Sequence, residues 1–298
     1  MIGAESERRP LLGRADFGKQ VRQFIAEHRK DDQFVTTASS PIELVVADRI
    51  GTIWLNRPER GNGIELGLAT ALRAAAFDLE RDASVKVVVI RGRGANFSVG
   101  GDLRAFSAAG ATFPRLAMDI ITAFHDALAS LRRSGKPAIA AVHGACAGGA
   151  MSLALACDFV LAADTAHFSV AYRRLGVSAD GGMSYSLTRL AGPRRALELM
   201  LLSDRTSASE ALSRGLITRV CAEQELEAEL TRMARALADN SPAASRAVKA
   251  LVWSADTTTL DEQLSAELAS FVDCASSADF REGMKAFNER RPPIFAGE

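Results

Sequence analysis

Two glycine-rich turns carry the residues whose spacing could do chemistry: GRGANFSVGGDL at 92–103 and HGACAGG at 143–149. Each stands behind an apolar run with the composition of a buried strand, VKVVVIR at 85–91 and AIAAV at Ala138–Val142. Each then runs into a helix, from near Asp102 and from about Ala150. A helix opening behind two glycines leaves its first backbone N–H groups unpaired, with the positive end of the helix dipole behind them. Two such units can aim two donors at one oxygen, which an enolate or tetrahedral oxyanion requires. Two plainer readings stand beside this one. The glycines could serve only the close packing of a buried strand and helix. The uncharged run between Lys136 and Asp158 also has the length of a membrane span, although Gly144, Gly148 and Gly149 interrupt it where strand gives way to helix.

Other chemistries are poorly supplied. Cys146, Cys157, Cys221 and Cys274 form no C-x-x-C pair and read as buried free thiols, while His143 and His167 lie at strand ends without a metal-ligand partner. GRGANF lacks the third glycine of a dinucleotide fingerprint, and no G-x-S-x-G elbow occurs. Among 298 residues, Lys plus Arg and Asp plus Glu number 36 each, which argues against a nucleic-acid or anionic-membrane binder. With 48% hydrophobic residues the composition is that of an ordinary globular chain. The opening MIGAESERRPLLGRADFGKQ lacks the apolar core of a signal peptide, so the chain reads as cytoplasmic.

The elements that must position these turns follow from periodicity. Residues 1–40 read as a polar extension with an amphipathic helix at 17–28. A hairpin is expected at 42–46 and 52–55 around DRIG, then the loop NRPERGNGIEL and a helix at Leu66–Arg81. Phe113–Arg133 should be a helix with Ile120, Phe124, Leu128 and Leu131 on one face and His125 beside that stripe. Strands follow at 158–163 and 167–171, then GVSADGG leads into a helix at 183–191, with another starting at Pro193. From residue 223 the chain turns helical, at 223–240, Pro242–Ser254 and 260–290. The implied organisation is an extension to residue 40, a core at 41–222 and a helical region at 223–298.

FSVGGDL, then KPAIAAVHGACAGGAMSLALACDFVLAADTAHFSVAYRRLGVSADGG, then RALELMLLSDRTSASEALSRGLITRV resemble the enoyl-CoA hydratase and isomerase (crotonase) superfamily, from about residue 41 to the C-terminus. The resemblance implies an α/β spiral of strand, strand, helix units whose C-terminal helices build a homotrimer or hexamer. It implies that the N–H groups of Gly101 and Gly149 hold a thioester oxygen. The two glutamates of the hydratases fall on Ser152 and Tyr172, which speaks against water addition. Asp180 matches the base of isomerase members, including those resembling epoxyphenylacetyl-CoA isomerase, and the nucleophile of 4-chlorobenzoyl-CoA dehalogenases. His125 and Tyr172 fall on the dehalogenase histidine and tryptophan.

By the same resemblance, coenzyme A enters as part of the substrate, with no metal or prosthetic group. Its nucleotide would meet Arg57 and Arg60, the backbone of Gly101, Asp102 and Leu103, and Phe287 and Arg290 from the C-terminal helix. Each has a plainer alternative: Asp180 before Gly-Gly is a helix-capping signal, His125 a structural histidine, the arginines solvated charges. The expected activity is double-bond isomerisation of an acyl-CoA. A hydratase or dehalogenase-like hydrolase, and a non-catalytic acyl-CoA-binding trimer, are the alternatives.

Overall fold

The computed structural model describes residues 40–297, so the expected helix at 17–28 and nearly all of the 1–40 extension lie outside the described residues. A hairpin opens the described chain. β1 (Ile42–Ala47) turns back onto β2 (Ile50–Leu55) through Asp48 and Arg49, both left-handed at φ 51° and 66°, a two-residue turn whose twist suits paired strands. After α1 (Leu66–Arg81) come β3 (Val87–Gly92), α2 (Leu103–Ala109), α3 (Phe113–Arg133) and β4 (Ala138–Val142). The second glycine turn then holds a short strand that the sequence reading did not anticipate, β5 (Ala145–Ala147), ahead of α4 (Gly149–Ala156). β6 (Phe159–Ala163), β7 (His167–Ser169), α5 (Met183–Leu201), β8 (Thr206–Ser207), α6 (Ala208–Ser213) and β9 (Arg219–Cys221) complete the α/β part. α5 bends at Gly192 (φ 76°, ψ 163°), so Pro193 does begin a second helical segment.

The main sheet runs β1-β2-β3-β4-β6-β9, antiparallel only at the first pair, and a smaller sheet runs β5-β7-β8. Alternation along β2 assigns the two faces. Gly51, Ile53 and Leu55 point to α1, where Leu79 lies so close that a Cβ on Gly51 would meet it at 2.5 Å. Residues 50 and 52 face α7 (Leu226–Ala238), which covers β2, β3, β4 and β6 with Leu226, Leu230, Ala234 and Ala238. The four-residue spacing of those side chains is the period of one helix face. β4 is buried at every residue, and its alanines let the wholly buried α4 lie against it.

Three helices close the chain: α8 (Pro242–Ser254), α9 (Leu260–Ala275) and α10 (Ala278–Glu289). The helix expected over 260–290 is two. Ser277 ends it by capping α10, its Oγ accepting from the Phe280 N–H at 3.1 Å. The helix expected from 223 begins as a tight turn at Glu223–Glu225 and becomes α-helical at Leu226. No helix among the described residues is long and apolar enough to cross a membrane. Of the cysteines, Cys146 and Cys157 are buried, but Cys221 and Cys274 are half-exposed.

Candidate active site

The two glycine turns leave the C-terminal ends of β3 and β4 and run side by side. The Ser98 N–H donates to the Ala145 carbonyl (3.0 Å) and the Ala147 N–H donates to the Ser98 carbonyl (3.1 Å), which sets Ser98 opposite Cys146 in parallel register. Three residues on in each strand of that register stand Gly101 and Gly149. Only glycine at position 100 lets the loops meet: its φ is 87°, and a Cβ there would lie 2.4 Å from the Ala147 oxygen. Gly149 is the first residue of α4, so its N–H has no intrahelical acceptor. Gly101 is bracketed by Ile64, whose N–H donates to the Gly100 carbonyl (2.7 Å) and whose carbonyl accepts from the Asp102 N–H (3.0 Å). In such a parallel bridge the intervening N–H points away from the partner. Both amides are thereby available to a third group.

Asp180 is brought to this place by α4. Ser152, three residues or about 4.5 Å along the helix from Gly149, donates its Oγ to the Asp180 carbonyl at 2.9 Å. The ring of Phe124 fills the space between Gly149 and Gly181: Cβ atoms added there would lie 3.7 Å and 2.8 Å from its Cε1. The Tyr172 hydroxyl donates to Asp180 Oδ1 at 2.5 Å. Burial first, then the Asp180 charge and hydrogen bond, push the Tyr172 phenol well above its ordinary value, with Ser152 acting weakly the other way. Tyr172 is therefore a neutral donor that orients one carboxylate oxygen and leaves Oδ2 for another partner. It follows a left-handed Ala171 (φ 65°) spanned by a Tyr172 N–H to Val170 carbonyl bond of 2.8 Å, a tight and strained turn that aims the phenol inward.

Two expectations change here. Asp180 does not cap α5: Gly182 occupies the cap, without a side-chain bond, and the Asp180 carboxylate is turned to Tyr172 instead. His125 does reach the site, but its Nε2 accepts the Gly181 N–H at 3.0 Å. That nitrogen carries a lone pair committed to the backbone, which suits a residue holding the Asp180 turn better than a proton acceptor for substrate.

The expected nucleotide contacts divide. Arg57, Arg60 and Asp102 do come together, but with one another. Arg57 Nη2 donates to Asp102 Oδ2 at 3.2 Å, Nη1 to the Gly63 carbonyl at 2.6 Å, and Arg60 Nε lies 3.9 Å from the same carboxylate. Burial alone would raise the Asp102 carboxyl, but the Ala105 amide and the two arginines outweigh it and hold it below the usual carboxylate value. Leu103, the first residue of α2, is exposed. Phe287, 78% exposed, and Arg290 are not joined to this site. Their helix packs on α9, and the tail behind it runs to the far ends of the parallel strands, where Lys86 Nζ donates to the Phe295 carbonyl at 2.9 Å. The sequence reading missed Asn62, wholly buried, whose Nδ2 donates to the carbonyls of Arg93, Asn96 and Phe97 (2.9, 2.9 and 3.1 Å). Its signal was its place between two glycines, since Asn tolerates the left-handed backbone (φ 56°) it adopts. Missed too was Phe106, whose Cε2 would meet a Cβ on Gly101 at 2.5 Å.

A mostly parallel sheet with glycine turns at its strand ends and helices closing its C-terminal part is an α/β enzyme scaffold of the crotonase type. The family model described as enoyl-CoA hydratase/isomerase matches residues 46–298, and the chain belongs to that family. It is 32% identical over 254 residues to a trans-2-decenoyl-acyl-carrier-protein isomerase of Streptococcus mutans, covering 85% of this chain and 97% of that one. It is 35% identical over 249 residues to the 1,2-epoxyphenylacetyl-CoA isomerase of Escherichia coli K12, covering 83% and 95%. A crystal structure of an enoyl-CoA hydratase from Polaromonas sp. JS666 superposes with a TM-score of 0.81 at 35% identity, over 85% of this chain and 99% of that one.

Proposed function

We propose that this enzyme moves the double bond of an enoyl-CoA thioester, with Asp180 as the proton carrier. The observation that supports this most is the Asp180 carboxylate beside the Gly149 turn, with Ser152 and Tyr172 at the positions where the resemblance puts the two acids of water addition. Asp180 Oδ2 takes a proton from C2 of a 3-enoyl thioester. The electron pair moves to the thioester oxygen, held by the Gly101 and Gly149 amides. The same carboxyl returns the proton at C4, leaving the 2-enoyl product. Each amide of such a pair is worth about 3–4 kcal/mol of transition-state stabilisation. Coenzyme A enters as part of the substrate, and the bookkeeping of this step closes without a prosthetic group. Two relatives named as isomerases accord with it.

Asp180→Asn should lower turnover of a 3-enoyl-CoA by about 10² to 10⁴ while leaving thioester affinity nearly intact, as loss of a general base does. A wild type that hydrates 2-enoyl-CoA and leaves 3-enoyl-CoA untouched would make the chain a hydratase. One that binds thioesters tightly and converts neither would make it a binding protein. The enzyme works as a homotrimer or hexamer in this reading, because α8, α9 and α10 leave large apolar side chains uncovered.

A further inference from the structure

Arg57 stands at the head of a chain of hydrogen bonds that ends at the oxyanion site. Its Nη1 donates to the Gly63 carbonyl at 2.6 Å. That carbonyl shares a peptide plane with the Ile64 N–H, which donates to the Gly100 carbonyl at 2.7 Å. The Gly100 carbonyl in turn shares a plane with the Gly101 N–H, and in a trans peptide the two point opposite ways. Both hydrogen bonds are shorter than the usual 2.9–3.0 Å for N–H to O. Arg57 is held in place from three more sides, one of them Glu65 Oε1 at 3.7 Å from its Nη1. Its Nη2 is paired to Asp102, a carboxylate 6% exposed, and its own N–H donates to Asn62 Oδ1 at 2.9 Å. The Arg57 side chain is 18% exposed, and a phosphate that drew it away would leave the buried Asp102 with only the Ala105 amide and Arg60 Nε at 3.9 Å.

We infer that Arg57 is a positioning residue that acts through two peptide groups to aim and polarise the Gly101 N–H, and is not a ligand of the nucleotide. A cation bonded to the first carbonyl draws electron density along the relay, since hydrogen bonds in series strengthen one another in a low-dielectric interior. The Gly101 amide becomes the better donor to an oxygen that gains negative charge in the reaction. Asp102 serves the relay by fixing the guanidinium, and its backbone N–H, bonded to the Ile64 carbonyl, holds the Gly101 segment from the other side.

The inference rests on the oxyanion role proposed for Gly101, and the experiment separates the two. The infrared carbonyl stretch of a bound, isotope-labelled non-reacting acyl-CoA falls as donors polarise the thioester. Arg57→Met should return that band toward its free position and lower kcat about tenfold, with KM and free coenzyme A affinity changed less than about twofold. Arg57→Lys, which keeps a cation at the Gly63 carbonyl, should recover part of both. Asp102→Asn keeps the cap on α2, because asparagine caps as well, and should shift the band in the same direction by less; it decides the matter if Arg57→Met fails to fold. A band unmoved in folded variants whose affinity for free coenzyme A falls would make Arg57 a nucleotide ligand and overturn the inference. So would variants with kcat and band both unchanged. A wild-type band no different from that of free thioester would instead overturn the oxyanion role itself, and the relay with it.

Discussion

Tyr172 and Asp180 share one short hydrogen bond, and the pairing decides what each can do. The phenol is half-buried and faces a carboxylate, so both effects favour its neutral form. With its folded value raised above the ordinary 10, the stability this tyrosine contributes is fully present below about pH 10. It is lost as pH rises from there through the raised folded value, because the unfolded chain gives up its proton first. Of the chain's 2 tyrosines, Tyr172 should therefore add nothing to the tyrosinate absorbance of the native protein near pH 10. Wild type and Tyr172→Phe should give overlapping ultraviolet titrations when folded, and differ by one phenol in denaturant. The same variant should keep its fold but lose about tenfold in kcat, since the carboxylate is no longer held for proton transfer. A native titration in which Tyr172 ionises at an ordinary pH would contradict this pairing.

At the scale of elements, α9 packs on α8 and α10 but leaves one face uncovered. Its Leu260, Leu264, Leu268, Phe271 and Val272 recur on one helical face, and each is more than half exposed in this chain. A stripe of that size accords with the assembly proposed above. Leu268→Glu should convert the assembly to smaller species at micromolar concentration, as read by light scattering, because a charge would be desolvated at its contact. A wild type that is already monomeric at that concentration would remove the reason for the stripe. Phe287 on α10 is likewise exposed.

Across the whole molecule, the helical end is tied to the sheet at the pole opposite the site. Lys249 of α8 and Asp158, 8% and 11% exposed, pair at 2.8 Å between the starts of β4 and β6. The rest of both groups is satisfied: Lys249 Nζ donates to the Leu131 and Lys136 carbonyls, and Asp158 accepts from the Ala138 N–H and the Trp253 indole. Removing one partner of such a pair leaves a buried charge uncompensated. Lys249→Ala should cost about 3–5 kcal/mol, seen as a lower midpoint in thermal unfolding, while kcat well below that midpoint stays near wild type. A change of less than about 1 kcal/mol would mean that the pair is solvated in the assembled protein.

The family resemblance assigned the two amides; the sequence by itself determined the glycine turns and the helices behind them, because glycine torsions, strand composition and helix periodicity are properties of a few neighbouring residues. It reached Leu66–Arg81 and Phe113–Arg133 to the residue, and placed Asp180 among the site's candidates. It could not decide which partner each polar group takes. Asp180 also carried a helix-capping signal, and only the approach of Tyr172 and α4 turned it to the site. His125, read as the dehalogenase histidine or a structural one, is committed to the Gly181 amide 56 residues away. Arg57, expected at the nucleotide by the family resemblance, is spent inside the protein on Asp102, 45 residues on. Charges and hydrogen-bonding groups act over a few ångströms of space, so their roles were settled by which segments folding brings side by side.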